Sequence, residues 1–588
     1  MRQTGVAAIL LIGTALTSPA QACGGFFCSQ RPVDQSKERI AFAIDEVTHT
    51  VDMHVQIFYQ GDSDKFAWVV PVPGVPDVHL STDLLFSALD GQTRPRFELT
   101  QAEVGNCDGR LYSNDTFDTA VVFQSDSAGP GGGDTDSGPG VVVLATGQTG
   151  PFDWTVVDAT TTAALVAWLA DPDGDPATAD AYQVPPDLGD KLRPYVTGGA
   201  NFVAFKMTKD ADAGDIAPIR LTFTGDRAQI PLVLTSVAAQ PDMRLEIFVF
   251  GDHRAVPDNY LHVRINQARI NWMGGGNQYD ALVTEAANEA GGQAFATDFY
   301  GPTSSLRPFL WSAGRFDLPL LRTTTNPADY VGLLIGMGVP SGAVVQNLLR
   351  EFIPLPQAAI DAFVSDVDFY NCMECYPEYT AMVAFDPVAT TAALDERVIT
   401  PLHDAQLLFD DHPQLTRLTS SMSADEMTLD PDFVLNETLT DPVPRDYSAT
   451  LFYDCSVESN PFAAPRYLLL ADGTRIDVPS VSWFEDGAQS EADYVPTTPM
   501  PAASVIEDLS EEGDGDPVVS NEVQINDAIA EHNRLVHELG GSSTPTDDPD
   551  IAPVGWRPCG CADTSLSPLP AAALALVALR RRRRAGAP

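Results

Sequence analysis

The chain has 588 residues, with 81 Asp+Glu against 34 Lys+Arg and a formal net charge of −47. Its 44% hydrophobic content is enough to build real cores, which excludes a disordered acidic tail. The charge excludes a nucleic-acid partner, because binding a phosphate backbone needs a basic face.

Residues 1–22 read as a secretory signal peptide: Arg2, an apolar stretch over 6–16, then Ala20-Gln21-Ala22 as a small-x-small cleavage site after Ala22. Cys23 then opens the mature chain, which also raises lipidation, but Ala20 stands where a lipoprotein signal wants Leu. The clearest β signal spans 40–60. Ile40, Phe42 and Ile44, then Val51, Met53, Val55 and Ile57, keep a period of two around a turn near Asp45 and predict a half-buried hairpin. A strand is expected over 66–70, ended by Pro71 and Pro73, and a helix over 82–90 capped by Ser81 or Thr82. The Gly/Asp/Ser-rich stretch 125–140 reads as a surface loop, followed by a strand from Val141 and a short helix over 160–170.

The next block is expected to be β-rich, with strands at 202–207, 216–224, 229–237, 245–250 and 261–272. At Tyr279 the period changes to helical, and Gly291-Gly292 closes that helix. Helices are then expected near 327–337, 341–352, 356–366 and 398–410. Strands return at 450–453 and 466–470, with Asp472-Gly473 as a hairpin turn. Residues 485–516 hold ten acids and no Lys or Arg and read as a linker. Ile525, Ala528, Ile529, His532 and Leu535 then mark one amphipathic helix. The fold class is α+β, with a β-rich N-terminal half and a helix-rich second part. By composition the chain divides into signal peptide (1–22), β-rich exported domain (23–275) and helix-rich part with returning strands (276–480). An acidic linker, amphipathic helix and stalk (481–557) and a C-terminal tail (558–588) follow.

Export permits disulfides. With Cys559 and Cys561 assigned to the tail, six candidates remain: Cys23, Cys28, Cys107, Cys372, Cys375 and Cys455. Sequence alone does not choose among their 15 pairings. Two local pairs stand out, Cys23 with Cys28 and Cys372 with Cys375, which leaves Cys107 and Cys455 for a long-range bond. The C-x-x-C at 372–375 also admits a redox dithiol or half a zinc site. Its flanks do not resemble a redox helix start, and the body has no second C-x-x-C, so a bonded or buried pair is the plainer reading.

No G-x-S-x-G, P-loop, H-E-x-x-H or strand-linked G-x-G-x-x-G occurs. The pairs His49/His54 and His532/His537 are wrongly spaced to share a metal on a strand or a helix. Asp171, Asp173 and Asp175 alternate as calcium ligands do, but Pro176 and Tyr182 stand where an EF-hand loop needs Gly and Glu. That weak calcium site is the only cofactor the sequence offers. No catalytic residue, cofactor-binding residue or metal ligand is assigned.

The C-terminus, with Cys559 and Cys561, an apolar run over 571–579 and Arg580 to Arg584, resembles the myxobacterial-type C-terminal sorting tail. That resemblance implies a membrane contact through the tail before processing near the Cys pair, then attachment at the cell surface. Pro558 departs from the common Gly. The N-terminal half resembles bacterial domain-of-unknown-function family 2330. The stretches that carry this are ACGGFFC at 22–28, PVDQS at 32–36, FAWVVPVPG at 66–74, LTSVAAQPDMR at 234–244, AVPDNYLHVRIN at 255–266 and EAGGQAF at 289–295. The resemblance implies an exported protein with an N-terminal Cys loop and transfers no catalytic residues. The functional expectation is an exported cell-surface or outer-envelope protein, non-catalytic, binding an unidentified partner or serving in envelope structure. The alternatives are a secreted hydrolase with an unrecognised active site and an envelope thiol-redox protein using Cys372 and Cys375.

Overall fold

The period-two segments at the start of the chain form the hairpin that seeds the largest sheet. Strand β1 (Asp34–Asp45) pairs antiparallel with β2 (Thr50–Gln60), with Ile40 opposite Val55 and Phe42 opposite Met53. Asp45 closes the turn by accepting from the Val47 and Thr48 amides, at 2.8 and 2.9 Å, and His49 takes a left-handed φ of 55°. The computed structural model describes residues 26–28, 34–60, 66–107, 127–130, 140–150, 152–170, 184–207, 209–211, 218–225, 227–339, 343–461, 463–478 and 499–540. The signal peptide, Cys23, the calcium-loop candidate Asp171, Asp173 and Asp175, and the tail with Cys559 and Cys561 lie outside them.

The sheet has ten strands. To the hairpin it adds β3 (Asp77–Leu80), β4 (Ile219–Thr224), β5 (Ala239–Gly251), β6 (Leu261–Ile265), β7 (Ala294–Pro302), β8 (Gln414–Met422), β9 (Ala503–Asp508) and β10 (Asp516–Ser520). Their order is β10-β9-β6-β7-β8-β5-β1-β2-β4-β3. The pairs β1/β5 and β6/β7 are parallel and the rest antiparallel.

Alternation gives the two faces different partners. Ile40, Phe42, Ile247 and Val249 pack with Val70, Phe152, Val203 and Phe205 of a five-stranded sheet. Ala41, Ala43, Phe248 and Phe250 point the other way, into a helical layer that includes Leu85, Tyr330, Leu402 and Phe409. The small alanines let helix α1 (Asp83–Thr93) approach closely. Its cap is Thr82, whose side chain accepts from the Leu84 amide. A four-stranded sheet (Arg96–Gly105, Asp446–Cys455, Arg466–Leu470, Arg475–Val478) shares a third core with helix α2 (Tyr279–Glu289) and helix α3 (Glu522–Gly540). The α+β class holds, with strands concentrated early and helices more frequent later.

The domain boundaries need correction. Residues 276–480 are not separable from what precedes them, because β7 and β8 sit in the middle of the same sheet. The acidic linker is shorter than expected. Ala503, Ile506 and Leu509 are buried, and β9 pairs with β6, so residues 499–540 belong to the compact unit that ends at Gly540. Acid content misled because Asp508, Glu511, Glu512, Asp514 and Asp516 are exposed, while Ala503, Ile506 and Leu509 among them pack inward. Residues 481–498 lie outside the described set.

Three local expectations also change. The strand expected over 229–237 is instead a helical turn, Leu232–Thr235, because Pro231 has no ladder N–H and Asp430 accepts from the Val233 amide at 2.8 Å. The strand from Leu261 stops at Ile265, where Asn266 caps a single 3-10 turn through the Ala268 amide. Within the loop expected over 125–140, Ser127–Pro130 is a strand paired with Lys209–Ala211.

The structure carries two disulfides among the described residues. Cys107–Cys455 ties together the C-terminal ends of two parallel neighbours, Arg96–Gly105 and Asp446–Cys455, across a sequence separation of 348. Cys372–Cys375 closes the turn after the helix Asp366–Asn371. Cys372 stands between the end of that helix and the 3-10 turn Met373–Cys375.

Candidate functional site

Two polar constellations lie on the main sheet. The first is a charge network on the helical face. Lys37 and Arg39 from β1, Arg244 from β5 and Arg417 from β8 meet Glu246 from β5, Asp298 from β7, Asp90 from α1 and Asp280 from α2. Four cations thus face four carboxylates. Arg417 has no exposed side-chain surface. Its Nη1 donates to Asp90 at 2.9 Å, and its Nη2 and Nε lie 3.4 and 3.3 Å from Glu246 and Asp298. Burial would raise the Glu246 carboxyl, but Arg417, Lys37, Arg39 and Arg244 hold it well below the usual carboxylate range. Asp298 sits at a β-bulge, the extra residue between Thr297 and Phe299, and accepts from the Tyr279 hydroxyl at 2.6 Å and from Thr419. Each cation of the network meets a carboxylate, and Glu246, Asp298 and Arg417 at its centre have no exposed side-chain surface, so it ties β1, β5, β7 and β8 to α1 and α2.

The second constellation lines a cleft of about 570 Å³, within the size range of metabolite sites. Its floor is β6, β7 and β9. Phe97, Tyr279 and Tyr447, residues 438–443 and Asp514 also line it. The aromatic rings are preorganised: Phe97 stacks on Tyr447 at 5.4 Å and meets Trp272 edge-on at 5.5 Å. Gly276, at φ 74°, lies against the Phe97 ring, and a Cβ there would overlap it. Gly276 is required by both its backbone angle and this approach.

Polar groups converge in the cleft. His262 of β6 is buried between Glu507 of β9 and Thr297 of β7. Its Nδ1 lies 2.8 Å from Glu507 Oε1, and its Nε2 lies 3.0 Å from the Thr297 hydroxyl and 3.2 Å from the Thr297 amide nitrogen. A backbone N–H can only donate, so Nε2 is the acceptor and Nδ1–H donates to Glu507. Desolvation lowers the His262 pKa, consistent with this neutral ring. Burial acts to raise Glu507, but His262 and Arg264 hold its carboxyl below the ordinary value. Arg264 donates from Nε and Nη2 to the two Glu507 oxygens, at 3.0 and 2.7 Å.

Arg254 differs from every cation above. It is mostly buried, its Nη2 donates to Thr297 Oγ1 at 3.1 Å, and its Nε is buried without an acceptor. Among the described residues no carboxylate lies within ion-pair distance of it. Desolvation lowers its pKa, partly offset by the Glu507 charge.

Of the disulfide candidates, Cys107, Cys372, Cys375 and Cys455 do not line this cleft. The sequence motifs assigned no role to Arg254, Thr297 or Glu507. His262 and Arg264 do lie in the 255–266 stretch quoted for the family resemblance. His532 contacts the Asp477 carbonyl at 2.8 Å and His537 the Asp477 carboxylate at 3.0 Å, a helix-to-sheet clamp. Among the described residues no cluster of His, Cys, Asp or Glu is arranged to hold a metal, and no helix is long and apolar enough to cross a membrane.

Residues 17–318 match the model of an uncharacterized protein family conserved in bacteria, DUF2330. The chain belongs to the DUF2330 family. No curated protein and no solved structure matches it. The DUF2330 segment supplies Phe97, Arg254, His262, Arg264, Tyr279 and Thr297, while residues 438–443, Tyr447, Glu507 and Asp514 come from beyond it. The cleft is therefore completed by sequence outside the DUF2330 match.

Proposed function

We propose that this chain is an exported cell-surface protein that binds a small organic ligand in the Arg254 cleft without chemical turnover. The observation that carries the reading is the cleft itself: preorganised aromatic rings share it with a guanidinium that, among the described residues, has no carboxylate within ion-pair distance. The address rests on the sequence of the two ends, and the disulfides agree with an oxidising compartment.

A second reading has one observation in its favour. The series Thr297 hydroxyl, His262 and Glu507 has the order of a nucleophile, base and orienting acid. Two details weigh against it. The Nε2 lone pair is shared with the Thr297 amide, and the hydroxyl already accepts from Arg254. A base held this way cannot carry a proton to a leaving group without losing a bond to the backbone.

The decisive experiment is a fragment screen by ligand-observed NMR on the wild type and on Thr440→Trp, which places a large ring at an exposed position lining the cleft. Fragments are expected to bind the wild type and to lose contact in the variant; binding indifferent to Thr440→Trp sinks the reading. Turnover of p-nitrophenyl acetate that is abolished by Thr297→Val would replace it with the hydrolase. For the address, mass spectrometry of surface-released protein is expected to find neither residues 1–22 nor Arg580 to Arg584, and an intact tail in that pool refutes the sorting step.

A further inference from the structure

Accepting the cleft as a ligand site, we propose that its ligand is a zwitterion: an α-amino acid or short peptide with its carboxylate on Arg254 and its ammonium toward Asp441 and Asp514. This rests on the binding reading above and adds the chemistry of recognition to it.

The carboxylate follows from Arg254. Arg39, Arg244 and Arg417 on the ten-stranded sheet each meet a carboxylate, whereas Arg254 stands on the strand Arg254–Pro257 of a separate three-stranded sheet. Arg254 makes one hydrogen bond, to a neutral hydroxyl, and leaves Nε unused. A mostly buried cation without a counter-ion is unfavourable, and a planar carboxylate offers the two parallel acceptors that a guanidinium fork matches. Glu507 is not available for that role, because its oxygens are engaged by Arg264 and His262. The Thr297 hydroxyl fixes one arm of the fork, so the guanidinium is already oriented.

The ammonium follows from the remaining charges. Arg264 and Glu507 cancel each other. That leaves Arg254, Asp441 and Asp514 as the charges lining the cleft without an ion pair among the described residues, the two acids both exposed. A simple anion would meet those two carboxylates and a chain of net charge −47. Screening shortens the far field to roughly 8 Å at physiological salt, which leaves the nearby Asp441 and Asp514 as the charges that decide. A ligand bearing both signs satisfies the inner cation and the outer acids together. Phe97 and Tyr447 offer an apolar side for its side chain.

Three probes separate the parts: L-phenylalanine, L-phenylalaninamide, which lacks the carboxylate, and N-acetyl-L-phenylalanine, which lacks the ammonium. Titration calorimetry at low salt is expected to find phenylalanine tightest and each analogue at least about tenfold weaker, as loss of a charge-assisted contact requires. Arg254→Gln is expected to erase the preference over the amide, and Asp441→Asn with Asp514→Asn the preference over the acetylated form. An amide that binds the wild type as tightly as phenylalanine overturns the proposal without any variant having to fold. If none of the three binds while cleft fragments do, the zwitterion fails and the binding reading stands. If nothing binds in the cleft, both fail.

Discussion

Arg417→Met is expected to lower the unfolding free energy by about 3–5 kcal/mol, the range for breaking a buried ion pair from one side. Arg417 lies at the centre of the sheet on β8, with no solvent contact, and touches Asp90, Glu246 and Asp298. Removing it leaves two buried carboxylates with fewer partners. Glu246 keeps Lys37, Arg39 and Arg244 as ion-pair partners, but among the described residues Asp298 keeps as direct partners the neutral hydroxyls of Tyr279 and Thr419. Asp298 is therefore where the damage concentrates. Asp298→Asn in the Arg417→Met background removes the stranded charge and is expected to recover at least about 1 kcal/mol, since the two residues are in contact and do not act additively. Urea denaturation of the wild type, the two single variants and the double variant measures this coupling. An Arg417→Met midpoint indistinguishable from wild type would mean that the network contributes nothing.

How much of this was legible in the sequence depends on what each residue faces. The β1–β2 hairpin was readable because one face packs on an apolar sheet and the residues between are small or polar, so the period of two survives. Strand β8 was not. It is buried along nearly its whole length, yet Thr416, Arg417, Thr419, Ser420 and Ser421 fill it, so it looks like neither an amphipathic nor an apolar strand. Its polarity makes sense only once Asp90, Glu246 and Asp298 arrive from distant positions. The cleft was half legible. His262 and Arg264 stood in a stretch already singled out, but Glu507 was one acid among ten in a run read as a linker. A cation such as Arg254, with no carboxylate at ion-pair distance among the described residues, has no sequence signature, because which charges meet is a tertiary fact.

Glu38→Gln is expected to stabilise the protein by about 3 kcal/mol above pH 7 and to change nothing below pH 4.5. Glu38 of β1 is buried on the face that packs on the five-stranded sheet, with the Gln35 amide, at 3.2 Å, as its hydrogen-bond donor. Desolvation raises its pKa from 4.5 to about 7. Between those values the folded chain holds a proton that the unfolded chain has released. Stability from this group is therefore present at low pH, falls as pH rises through the window, and stays low above it. Glutamine is uncharged at every pH and keeps an acceptor for Gln35. His54 of β2, on the opposite face and bonded to Ser81 at 2.7 Å, acts in the reverse sense. Desolvation lowers its pKa from 6.5 to about 3, so its contribution is complete above pH 6.5 and is lost as pH falls toward 3. The wild type should thus pass through a stability maximum on the acid side of neutrality, and Glu38→Gln should move that maximum upward and flatten its alkaline limb. Unfolding free energies for both proteins from pH 4 to pH 8.5 decide it. A difference independent of pH would place the Glu38 carboxyl in water rather than between the sheets.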